Sequence, residues 1–132
     1  MEGTLEMQYG DTAAKFVVGA AVEDENTPGL MLVQVGTDNV DCDTYLDVFL
    51  SFSNPEGHFL YFSVDQAPGT YDDGFVSAMR SSGGSTRINT SSGSVTIDSV
   101  DGRIIGSVEF DTTDEEVGTI SASGTFDVVR CF

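Results

Sequence analysis

Tryptophan is absent from this chain and cations nearly so: five Lys and Arg face 22 Asp and Glu, for a formal charge of −17. A surface this acidic repels phosphate backbones and anionic membranes, which excludes nucleic acid as a partner. Solubility is its plain consequence; a salt-rich habitat and weak divalent-cation binding are the competing readings. No apolar run approaches the roughly 18 residues that cross a bilayer. The opening Met1-Glu2-Gly3-Thr4 has neither the basic start nor the apolar stretch of an export signal. Proline is scarce, three residues against fifteen Gly, so tight turns rather than Pro-rich linkers punctuate the chain. A lone histidine, His58, cannot by itself build a His-based metal site. The two cysteines, Cys42 and Cys131, lie far apart and outside any Cys-x-x-Cys or Cys–His metal spacing.

What is present suits one domain. A chain of 132 residues has the usual domain size and can bury about two thirds of its unfolded surface. Nine Phe and four Tyr supply large core bodies. Residues 1–132 therefore read as a single all-β domain, because apolar positions alternate or come in short runs broken by Gly, Asp, Asn or Ser. Strands are expected at Thr4–Tyr9, Lys15–Glu23, Leu30–Gly36, Tyr45–Ser53 and His58–Val64. The four Ala between Ala13 and Ala21 make a helix the competitor for the second. Tyr45–Ser53 and His58–Val64, joined by Asn54-Pro55-Glu56-Gly57, form the expected hairpin. Gln66–Tyr71 reads as a connection, Asp72-Asp73-Gly74 as a turn and Ser81–Ser85 as an exposed loop. Phe75–Arg80 is ambiguous.

The last third is the most regular. Val95 and Ile97 point one way and Thr96 and Asp98 the other, Asp101-Gly102 is a hairpin turn, and Ile104, Gly106, Val108 and Phe110 share a face. A charged loop, Asp111–Glu116, precedes a short strand at Val117–Ala122. Ser123-Gly124 then reads as a turn into Thr125–Cys131. Such a meander closes an antiparallel β-sandwich or a barrel of about 8–10 strands.

The segment Ser92–Arg130 resembles the closing strands of small exported or lipid-anchored all-β proteins of bacteria. The residues that carry the likeness are Gly93-Ser-Val-Thr-Ile97, Gly106-Ser-Val-Glu-Phe110 and Gly124-Thr-Phe-Asp-Val128, with Pro68-Gly69-Thr70-Tyr71 upstream. The resemblance implies a sandwich or a calycin-like barrel, an export signal upstream of Met1, and a periplasmic, cell-surface or secreted location. It carries over no catalytic residue. The lipid-attachment Cys of a mature lipoprotein N-terminus is not present here.

Chemistry-bearing candidates are few. A Cys42–Cys131 disulfide would close a long loop and mark an oxidising compartment; two unpaired buried thiols are the alternative. Asp41, Asp43, Asp72 and Asp73 are the candidate calcium ligands, since hard cations take oxygen donors, although no EF-hand spacing is present. Other acidic pairs are too common here to single out a glycosidase dyad. His58 reads as an ordinary surface or edge residue, no Gly-x-Ser-x-Gly elbow exists, and Asn89-Thr90-Ser91 is a chance-level glycosylation triplet. Phe49, Phe59 and Tyr61 are either core or a ligand or partner surface. The expectation is a non-enzymatic extracytoplasmic domain for binding or assembly, monomeric or weakly oligomeric, with no cofactor. A barrel-type carrier of a small apolar ligand is the alternative, and a hydrolase is more distant.

Overall fold

A computed structural model describes residues 2–24, 26–37, 42, 57–72, 74–82 and 85–132. Ten strands and no helix occur among them: β1 (Glu6–Tyr9), β2 (Thr12–Lys15), β3 (Val18–Glu23), β4 (Leu30–Gly36), β5 (Gly57–Asp65), β6 (Gly69–Tyr71), β7 (Phe75–Ser82), β8 (Ser85–Ser99), β9 (Arg103–Asp114) and β10 (Gly118–Arg130). The fold is all-β, as the alternating pattern predicts.

The pairings run β10–β9–β8–β7–β5–β4–β3, all antiparallel. They return to β10 by a short parallel match, Val129 beside Ala20 and Arg130 beside Ala21. The sheet thus closes on itself in a barrel-like ring, the arrangement that removes free strand edges. The β1–β2 hairpin continues along β10, and β6 lies on β8.

Inside the ring, one side chain in two from each strand builds a single apolar cluster. Met31, Val33 and Val35 of β4 meet Leu60, Phe62 and Val64 of β5, Val95 and Ile97 of β8, Ile104, Val108 and Phe110 of β9, and Phe126 and Val128 of β10. The rings of Phe62 and Phe126 pack across the interior at 5.6 Å between centroids. A second, smaller cluster lies on the outer face: Ala20, Phe59 and Met79, flanked by Val18, Tyr61, Val129 and Cys131. There Cys131 is bonded to Cys42, with 5.5 Å between their Cα atoms.

Several sequence expectations change. The expected strand Lys15–Glu23 is split, because the backbone switches partners at its second residue. Phe16 N–H donates to the Leu5 carbonyl, whereas Val17 N–H donates to Gly36 on the far side. The expected 45–64 hairpin gives way to other pairs: β5 is flanked by β4 and β7 over Phe59–Phe62, and Tyr45–Ser53 lies outside the described residues. Ser81–Ser85 is not a long loop, since Ser82 pairs with Ser85 and two polar strands continue on either side. The Gln66–Tyr71 connection contains β6, and Asp111–Asp114 extends β9 rather than forming a loop. Ser123-Gly124 is no turn either: β10 runs through it. Gly124 has φ +131°, and a Cβ there would lie 2.7 Å from the Leu5 backbone. Glycine at this point admits a crossing strand rather than a reversal. The Asp101-Gly102 turn is as expected, with Gly102 at φ +80°.

Candidate functional site

One end of the barrel gathers polar side chains on its inner wall. His58 stands near the start of β5, Arg80 near the end of β7, Arg87 near the start of β8, Asp114 at the end of β9 and Tyr9 at the end of β1. Antiparallel neighbours bring starts beside ends, so all five share one rim. His58 is directly opposite Arg80, and Arg80 directly opposite Arg87. Each lies an even number of residues from an inward side chain of its own strand: Leu60, Ala78 and Val95 respectively. The three form a row across adjacent strands that contains two of the four arginines of the chain.

Arg87 is neutralised. It donates to Asp114 at 2.9 Å and to Glu116. Asp114 is fully engaged. It accepts from Asn89 Nδ2 at 2.8 Å and from the backbone N–H groups of Glu116 and Val117 at 2.8 and 3.0 Å. These bonds, Asn89 first, hold its carboxyl well below the usual carboxylate range. The Glu116 bond and then Asp114 raise the Arg87 guanidinium further above its ordinary value.

Arg80 differs. Its guanidinium lies 6.0 Å from the Tyr9 ring centre and makes no ion pair or side-chain hydrogen bond among the described residues. Every other described arginine has an oxygen partner: Asp114 and Glu116 for Arg87, Asp127 for Arg103, and the Val100 carbonyl for Arg130. The rings of Tyr9 and His58 meet edge-on at 5.3 Å. The Tyr9 hydroxyl, His58 Nε2 and Asn89 Oδ1 are buried and have no hydrogen-bond partner among the described residues. Burial raises the Tyr9 phenol. Burial, reinforced by the Arg80 charge, lowers the His58 imidazole and favours its neutral form. Beside this row lies a cavity of about 270 Å³ lined by Arg80, Ser85, Thr86 and Arg87.

No family model, curated protein or solved structure matches this chain. The site is therefore read from its own chemistry.

The residues singled out from sequence fall elsewhere. Asp41, Asp43, Asp73 and Phe49 lie outside the described residues. Asp72 accepts a hydrogen bond from Ser94 at 2.7 Å. Among the described residues, no three His, Cys, Asp or Glu side chains gather into a metal-binding group. Phe59 is wholly buried in the outer cluster, so it offers no ligand surface, and Tyr61 packs half-buried against the same cluster. His58 is not an edge residue: β5 has a neighbour on each side and the imidazole faces inward. Asn89 spends its amide on Asp114, so the glycosylation triplet is occupied by a structural bond.

Sequence reasoning missed Arg80 and Arg87. Their signal was available. They are symmetric about Gly83-Gly84, and a two-residue Gly-Gly turn places residues equidistant from it directly opposite one another.

Proposed function

We propose that this chain is a non-enzymatic extracytoplasmic binding domain whose recognition surface is the polar end of the barrel. The observation that carries the reading is Arg80. Among the described residues this guanidinium has no acid beside it, while the arginine in register with it is held by two, so the Arg80 donors are open to an anionic ligand. The unpartnered Tyr9 hydroxyl and His58 Nε2 support the same reading, because buried polar groups in native proteins are normally hydrogen-bonded. The Cys42–Cys131 bond supports an oxidising compartment, such as the periplasm, the cell surface or the exterior.

The apolar-carrier reading is weaker, because the large side chains Met7, Met31, Leu60, Phe62 and Phe126 are all buried in the apolar interior. A hydrolase needs a nucleophile beside its histidine, and the His58 ring instead meets Tyr9. A melting-temperature screen of organic acids, amino acids, sugars and fatty acids, run on the wild type and on R80Q, tests the proposal. At least one compound is expected to raise the wild-type midpoint and to lose that effect in R80Q. A fatty acid that stabilises both proteins equally would instead favour the carrier. Ester or glycoside turnover abolished by H58A would favour the enzyme.

A further inference from the structure

We infer that the polar end binds a small organic acid carrying one carboxylate, with Arg80 as its anchor; this rests on the reading of that end as the recognition surface. Four observations converge. Among the described residues Arg80 has no ion-pair or side-chain hydrogen-bond partner, and it borders a cavity of about 270 Å³. Ser85 brings a hydroxyl to the same cavity, whereas the Thr86 hydroxyl is shared with Ser81 at 3.3 Å. Tyr9, only 3% exposed, holds a hydroxyl without a hydrogen-bond partner among the described residues, and its ring lies 6.0 Å from the Arg80 guanidinium. Arg87, directly across the strand pair, is already held by Asp114 and Glu116, which leaves Arg80 as the guanidinium open to a ligand.

The same groups decide which anion. A guanidinium presents a planar fork of donors that matches a carboxylate with two parallel hydrogen bonds. Arg87 is already held by Asp114 and Glu116, so Arg80 alone presents an open donor fork, and the two acids beside Arg87 balance the charge of the rim. Placed in a chain of net charge −17, one open fork suits a monoanion and disfavours a phosphate dianion. The same field repels an acidic polymer, which leaves a small molecule as the ligand. A cavity of about 270 Å³ has room for an acid of a few carbons.

The test uses the intact, disulfide-bonded protein and sodium propanoate, with propanamide as the uncharged planar isostere and inorganic phosphate as the non-planar anion. Ionic strength is held constant with sodium chloride. The readouts are the Arg80 Nε–Hε resonance and the His58 ring resonances. Propanoate is expected to shift both saturably and propanamide neither, with phosphate at least tenfold weaker. R80Q is expected to abolish the response, and R80K, which keeps the charge but loses the fork, to weaken it at least tenfold. Arg80 is exposed and faces a like charge, so these variants are expected to keep the wild-type amide spectrum. Unsaturable shifts, equal response in R80Q, or phosphate binding as tight as propanoate would overturn the assignment. If propanoate fails while another compound still loses its stabilising effect in R80Q, the carboxylate assignment falls and the binding surface stands.

Discussion

Replacing Gly124 by Ala tests how the N-terminal segment is fastened to the barrel. Gly118 supplies the control, since both glycines belong to β10 and both have positive φ, +95° at Gly118 and +131° at Gly124. A Cβ at Gly118 meets nothing within 4 Å, so G118A costs only the backbone term, about 1–2 kcal/mol. A Cβ at Gly124 falls 2.7 Å from the N and Cα of Leu5, and backbone atoms cannot swing aside as a side-chain tip can. Leu5 must lift. The N–H groups of Thr4 and Leu5 then lose the Thr125 carbonyl, now at 3.0 and 2.9 Å, at about 1 kcal/mol each. The fully buried Leu5 side chain loses much of its burial, a further 2 kcal/mol or so. With the strain in φ, G124A is expected to cost about 5 kcal/mol, a large share of a typical domain's stability of roughly 5–15 kcal/mol. Equilibrium urea unfolding of both variants measures the difference, and hydrogen exchange locates it, with amides of β1 losing protection first. A G124A variant no less stable than G118A would refute the reasoning.

Three further outcomes are expected. Reducing the Cys42–Cys131 bond, which spans 89 residues, removes about 4–5 kcal/mol in the chain-entropy model; C42S with C131S gives the same loss by urea titration, and an unchanged midpoint would contradict it. F126A opens a void beside Phe62 and lowers stability by about 3–5 kcal/mol, read from the same titration. His58 is held below its ordinary 6.5, so the unfolded chain takes up its proton first as pH falls. The His58 contribution is therefore full above that value and declines as pH drops through 6.5 toward the native-state pKa. H58Q is expected to flatten this limb of the stability–pH curve, and a curve identical to wild type would refute it.

The fold class was legible because burial on one face writes a period of two into the sequence. It is clearest where side chains alternate cleanly, as in Ile104, Gly106, Val108 and Phe110, of which every one is buried. It failed where strands carry Ser, Thr and Asn outward and inward alike. The stretch Ser85–Ser92 has little apolar contrast, yet it pairs along its whole length with β7. Non-local events were also hidden. Nothing local announces that the backbone at Phe16 and Val17 changes partners, or that Gly124 admits Leu5. The site was missed for a related reason. Arg80 and Arg87 are unremarkable singly, and their meaning comes from a register that joins them across a turn and sets His58 beside them. The acids drew attention by number, whereas in a chain so rich in them the rare cations carry the information.

The account rests on the polar end being where this barrel meets its ligand. A backbone amide shift map, recorded with whichever compound the melting screen identifies, tests it most directly. The largest shifts are expected around Tyr9, His58, Arg80, Arg87 and Asn89, with the outward strand positions near Phe75 unchanged. Shifts centred on Phe75 and Ile88, the most exposed large apolar side chains among the described residues, with a silent polar end, would contradict it.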